Sequence, residues 1–91
     1  MNRQRRLVLF TGTVQGVGFR YTVRRVSDGF AVTGYVRNLP NGQVEVLAEG
    51  DGDEIDAFIA AIEDRMGYYI RGATQRTSPA TDEFDSFDIT L

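Results

Sequence analysis

An α+β fold is predicted for this 91-residue chain: one antiparallel sheet with two helices packed on a single face. Three observations point to it. The apolar period switches between two and 3.6 in the order strand, helix, strand, strand, helix, strand, with a short further strand at the C-terminus. Each helical segment carries a single apolar stripe, so each has one surface to bury. An Asn41-Gly42 pair separates the second and third strand-like segments, the signal of a tight hairpin.

The elements follow in order. Arg6 to Gly12 is apolar through Leu7, Val8, Leu9 and Phe10 and is bounded by glycine, which predicts the first strand. Thr13 to Gly18 is a loop with glycines at 16 and 18. Phe19, Val23, Val26 and Phe30 then recur at helical spacing, giving a first helix that opens at or near Arg20. Val32 to Asn38 alternates as the second strand, and Gln43 to Ala48 as the third, with Val44, Val46 and Ala48 on one face. The hairpin between them is expected because both Asn41 and Gly42 tolerate positive φ. Asp51-Gly52-Asp53-Glu54 resembles a capping box that opens the second helix. Its stripe is Ile55, Phe58, Ile59, Ile62 and Met66, and Gly67 would end it. Tyr69 to Thr77 is the fourth strand, Ser78 to Ser86 a loop, and Phe87, Ile89 and Leu91 the last short strand. The order βαββαβ plus a C-terminal strand is the ferredoxin-like sandwich. That arrangement hosts many unrelated functions, so the role must be read from particular residues.

Composition narrows the chemistry. The chain contains no Cys and no His. Disulfides, thiolate nucleophiles, Cys-based zinc sites, imidazole bases and Ser-His-Asp triads are therefore excluded. Arginine, carboxylates, amides, hydroxyls and backbone remain, a set suited to positioning and charge stabilisation. The net charge of −3 is unevenly distributed. Seven arginines (3, 5, 6, 20, 24, 25 and 37) accompany two acids up to Glu45, and three arginines accompany eleven acids after it. A basic first half favours a small anion, while the acidic remainder disfavours nucleic acid. No segment has the length of a membrane span or a signal-peptide core, so a cytoplasmic location is expected, with no membrane partner. One domain covering residues 1–91 and a monomeric chain are expected.

The strongest candidate for function is Gly12-Thr13-Val14-Gln15-Gly16-Val17-Gly18-Phe19-Arg20, between a strand and a helix start. Amides at a helix N-terminus bind anions, and Gly16 and Gly18 permit a sharp turn. Arg20 offers a planar fork that matches two phosphate oxygens. A loop of amides beside one guanidinium is a phosphoryl cradle. The sequence is not a Walker loop, because no Lys-Ser/Thr pair follows. Asn38, at the end of the second strand, adds an amide able to donate to a phosphoryl oxygen and accept from water. Arg24 and Arg25 lie on the helix's solvent side and read as surface charges, and Arg37 points away from Asn38. The carboxylates of Asp51, Asp53 and Glu54 read as helix capping rather than as a metal site.

The run from Gly12 to Arg20, together with Gly34-Tyr35-Val36-Arg37-Asn38-Leu39-Pro40-Asn41-Gly42-Gln43-Val44-Glu45, closely resembles the acylphosphatase family. The resemblance is strong over roughly residues 7 to 66, with a weaker echo at Phe87-Asp88-Ile89. It implies a ferredoxin-like enzyme that hydrolyses acyl phosphates to a carboxylate and inorganic phosphate, without metal or other cofactor. It implies that Arg20 binds the phosphate with the loop amides, and that Asn38 orients the attacking water. Gln15, Gly16, Val17, Gly18 and Phe19 would then form the cradle around the phosphoryl group with Arg20. The chain departs from the family pattern at Tyr35, where Trp is frequent, and at Asn41, where Asp is frequent. It also has Gly67-Tyr68-Tyr69 in place of a proline-containing loop, and Gln75 where an apolar residue is expected.

Two other readings predict different surfaces. A non-catalytic anion-binding module would keep the cradle but need no positioned water. A single-stranded RNA binder on this fold would stack bases on sheet aromatics. The expected open-face residues of the third strand, Gln43, Glu45, Leu47 and Glu49, offer no aromatic and two negative charges, which disfavours RNA.

Overall fold

The computed structural model describes residues 2–91. Its elements are β1 (Arg3–Gly12), α1 (Phe19–Ser27), β2 (Thr33–Asn38), β3 (Val44–Asp51), α2 (Gly52–Met66), a 3-10 turn (Gly67–Tyr69), β4 (Ile70–Pro79) and β5 (Phe87–Ile89). The strands form one sheet in the order β4-β1-β3-β2-β5. β1 runs antiparallel to both β3 and β4, and β2 antiparallel to β3. The antiparallel expectation holds for these four strands, whereas β5 adds to β2 in parallel, which makes the whole sheet mixed.

The alternation read from sequence selects the core. Val8 and Phe10 of β1, Val36 of β2, and Val44, Val46 and Ala48 of β3 are fully buried against the helices. Phe19, Val23 and Val26 meet them from α1, and Ile55, Phe58, Ile59, Ile62 and Met66 from α2. The Phe10 and Phe19 rings pack at 5.3 Å, which clamps the start of α1 onto β1. Phe58 packs at 5.2 Å on Phe87 and so holds the last strand under α2. Each such side chain contributes about 1.5–3 kcal/mol on burial, far more than any surface ion pair.

Several local expectations are corrected. α1 stops at Ser27, and Phe30 reaches the core only after a turn in which Gly29 N–H donates to Val26 O at 3.0 Å. In the β2–β3 hairpin only Gly42 takes positive φ, at 93°. Leu39 O accepts from Gly42 N–H at 3.1 Å around Pro40 and Asn41, the bonding of a turn followed by a glycine bulge. The capping box does not form: Asp51 makes no side-chain cap bond, and Glu54 Oε2 instead accepts from Ala31 N–H at 2.7 Å. Glu54 thus ties α2 to the segment entering β2. Gly67 has φ −55° and continues the coil into the 3-10 turn instead of reversing it.

The second sheet face is also not the open surface that alternation alone suggests. Glu45, Leu47 and Glu49 are all buried. Tyr35 OH and Arg37 Nε donate to Glu45 Oε1 at 3.0 and 2.6 Å. Residues 80–86 cross the face and are pinned by Glu49, which accepts from Thr81 N–H, Thr81 Oγ1 and Asp82 N–H at 2.8–3.0 Å and from Arg5 Nε at 2.7 Å. Phe84 lies edge-on to Tyr35 at 5.9 Å, closing the middle of this face. The register of β4, ambiguous from its composition, is fixed by β1: Gln75 stands opposite Val8. On this exposed edge strand Gln75 needs no apolar environment, and its Oε1 accepts from Arg6 at 3.2 Å.

Candidate active site

The loop between β1 and α1 is built by alternating anchors and turns. Val14 is fully buried and fixes one end, and Phe19, 2% exposed, fixes the other. Between them Gly16 and Gly18 adopt φ of 78° and 77°. A side chain at either position would meet open space, so glycine is required there by backbone conformation and not by crowding. Gly18 is the N-cap of α1 and has no side-chain cap. The first helical bond is Thr22 N–H to Gly18 O at 3.0 Å, with the Thr22 hydroxyl donating to the same oxygen at 2.9 Å. This assigns Thr22 to holding the helix start. The amides of Phe19, Arg20 and Tyr21 precede that bond and have no acceptor within the helix.

Gln15 takes a bracing position. Its Nε2 donates to Leu39 O at 2.8 Å and to Gln43 O at 2.9 Å, tying the loop to the β2–β3 hairpin. That bridge draws the loop toward Asn38, the last residue of β2. A pocket of about 120 Å³ results, lined by Val14, Gly16, Gly18, Phe19, Arg20, Tyr21 and Asn38. Of the residues expected from sequence, the structure therefore gathers Gly16, Gly18, Phe19, Arg20 and Asn38 on one pocket. The Gln15 side chain is turned to the hairpin, and Val17 packs partly buried against the core. Sequence reasoning missed Val14 and Tyr21 as lining residues. Tyr21 carried a signal, since it follows Arg20 directly in the exposed first turn of an amphipathic helix.

Electrostatics single out Arg20. Arg3 pairs with Asp82, Arg5 with Glu49 and Glu83, Arg6 with Asp56, Arg24 with Asp28 and Arg37 with Glu45. Of the seven arginines in the basic half of the sequence, only Arg20 and Arg25 lack an ion pair among the described residues. The guanidinium at the pocket is thus free to meet a ligand. The Asn38 amide also makes no hydrogen bond to a described residue, and its Oδ1 is buried. The pocket offers an uncompensated planar cation, helix-terminal amides and an amide side chain, which together suit a tetrahedral oxyanion.

One perturbed acid and one perturbed tyrosine lie elsewhere. Burial alone would raise Glu49, but donors from Thr81, Arg5 and Asp82 outweigh it and hold its carboxyl down at about 2. Burial, then the hydrogen bond to Glu45, raises the Tyr35 phenol. Both belong to the covered sheet face, so neither is a proton-transfer group of the pocket. Asp51, Asp53 and Asp56 line a separate hollow with Arg6. Among the described residues, no group of three or more His, Cys, Asp or Glu is placed to hold a metal ion, and no helix is long and apolar enough to cross a membrane.

Comparison with known proteins identifies the family. The family model described as Acylphosphatase matches residues 7–89. The acylphosphatase of Methanospirillum hungatei is 49% identical over 55 residues, 60% of either chain. That of Methylococcus capsulatus is 40% identical over 85 residues, covering 90% of both chains. The crystal structure of the Bacillus subtilis acylphosphatase superposes with a TM-score of 0.85 at 31% identity, covering 98% of this chain and 99% of that one. With the fold matched over nearly its whole length and the family pattern spanning both the glycine loop and Asn38, the chain belongs to the acylphosphatase family.

Proposed function

We propose that the chain hydrolyses acyl phosphates to a carboxylate and inorganic phosphate, by attack of water on a phosphoryl group held by Arg20 and the loop amides. The observation that carries this reading is one small pocket lined together by Asn38, the N-terminus of α1 and Arg20, which has no ion pair among the described residues. The fork of Arg20 would take two phosphoryl oxygens, and the amides following Gly16 and Gly18 the remaining charge. Asn38 would hold water against the phosphorus, opposite the leaving oxygen.

The scarcity of proton-transfer groups is consistent with this chemistry. A departing carboxylate is a weak base, with a pKa near ~4, so it leaves without a general acid. Phosphoryl transfer passes through a loose transition state in which positioning and electrostatic stabilisation dominate. The proton of the attacking water can pass to a phosphoryl oxygen of the substrate, so the protein need not supply a base. A transition-state donor is worth roughly 3 kcal/mol, and Arg20 supplies a charged pair of them.

The test is hydrolysis of benzoyl phosphate in the presence of chelator by wild type, Arg20→Ala and Asn38→Ala. Wild-type turnover that drops by about a hundredfold or more in both variants is expected. Folded wild type that binds phosphate without turnover would leave an anion-binding module instead.

A further inference from the structure

We infer that the site discriminates among acyl phosphates by their acyl part, favouring extended acyl groups that carry a second anion, through Tyr21 and Arg25. This rests on the hydrolytic reading above and extends it to the substrate's other half.

A second hollow, of about 510 Å³, lies along α1 and is lined by Tyr21, Thr22, Arg24, Arg25 and Asp28. Tyr21 is the one residue that lines both this groove and the phosphoryl pocket. It is 73% exposed, so its ring is open to a ligand. In-line attack by water at Asn38 drives the leaving acyl oxygen away from Asn38, and the groove beyond Tyr21 offers room to receive that part of the substrate.

The charge of the groove then sets its preference. Arg24 is neutralised by Asp28 at 2.6 Å, whereas Arg25 is exposed and has no ion pair among the described residues. The groove therefore carries one uncompensated positive charge. Helical spacing places Arg25 four residues beyond Tyr21, on the same face, and about 7.5 Å along the axis from Arg20. A rigid acyl phosphate with a carboxylate at the far end of an aromatic ring has a comparable span. Its phosphoryl group would sit at Arg20, its ring against Tyr21 and its carboxylate at Arg25.

The experiment compares kcat/KM for 4-carboxybenzoyl phosphate and benzoyl phosphate, in wild type, Arg25→Gln and Asp28→Asn. Wild type is expected to favour the carboxylated substrate, with a preference that weakens as salt is raised. Arg25→Gln should reduce that ratio by about tenfold, the value of one charge-assisted contact. Asp28→Asn should raise it, because Arg24 is then released. Binding of 4-carboxybenzylphosphonate and benzylphosphonate to the same proteins separates the two ideas. Turnover of both substrates with a ratio indifferent to Arg25 overturns the groove and leaves hydrolysis intact. An Arg25-dependent preference between the phosphonates without turnover of either phosphate supports the groove and overturns hydrolysis. Loss of both the preference and turnover overturns both.

Discussion

The roles proposed for Arg20 and Asn38 depend on geometry that charge and polarity alone do not supply. A guanidinium presents two parallel donors, whereas an ammonium is a point charge on a flexible stem. Arg20→Lys is accordingly expected to lose about a hundredfold or more in kcat/KM for benzoyl phosphate while leaving the melting temperature unchanged, which kinetics and thermal unfolding together check. Asn38→Ala is expected to lower kcat with little change in the dissociation constant for inorganic phosphate, because its proposed contact is to water. Phosphate binding weakened as strongly as in Arg20→Ala, with normal turnover, would reverse the two assignments. Both residues were legible as candidates, Arg20 from the glycine loop before it and Asn38 from the resemblance that joins its segment to that loop, and both line one pocket. The role of the Gln15 side chain was not legible. Its partners, Leu39 O and Gln43 O, are backbone oxygens more than twenty residues away, and no local pattern announces them.

Among the elements, the loop and the hairpin stand or fall together. Gln15→Ala removes two bonds that hold the loop against the end of β2 and is expected to cost about 1–3 kcal/mol of stability, read by denaturant unfolding, together with weaker phosphate binding. Two glycines separate conformational from steric demands. At Gly18 a methyl group meets open space but the backbone sits at φ 77°, so Gly18→Ala should cost about 1–2 kcal/mol and disturb the amides at the start of α1. At Gly34 a Cβ would fall 1.8 Å from Leu47 O of the adjacent strand, so Gly34→Ala should be far more damaging, preventing β2 from pairing in register. Circular dichroism and phosphate titration of the two variants distinguish these outcomes. Element identity was legible because the apolar periods are clear, but the ends were not. Asp51 and Glu54 carry a good capping pattern, yet Glu54 finds the amide of Ala31, a tertiary partner that competes with the local cap.

At the scale of the whole molecule, the fold mixes the two halves of an uneven charge distribution. Arg3 and Arg5 from the basic half meet Asp82, Glu49 and Glu83 from the acidic half, and Arg6 meets Asp56. Glu49 anchors this network, and its carboxyl is held at about 2, well below the ordinary 4.5. The stabilisation is fully present above the unfolded value and is lost as pH falls from about 4.5 through 2, because the unfolded chain takes up the proton first. Wild type should therefore lose on the order of 3 kcal/mol across that window through this group. Glu49→Gln should be less stable at neutral pH and show a flatter acid limb, as measured by urea unfolding between pH 6 and pH 2. The sequence by itself determined the order of elements, the two helical stripes and the choice of Arg20 and Asn38 as candidates, because periodicity and short motifs are local properties of the chain. Only the tertiary structure decided that, among the described residues, Arg20 and Arg25 have no ion pair while the other five arginines of the basic half are paired, that residues 80–86 close the second sheet face, and that Tyr21 joins a pocket to a groove. Apart from the groove and the Arg24–Asp28 pair, which lie along one helix, these features depend on side chains brought together by folding from distant positions, and the spacing of residues along a chain does not encode which of several oppositely charged partners will lie within reach.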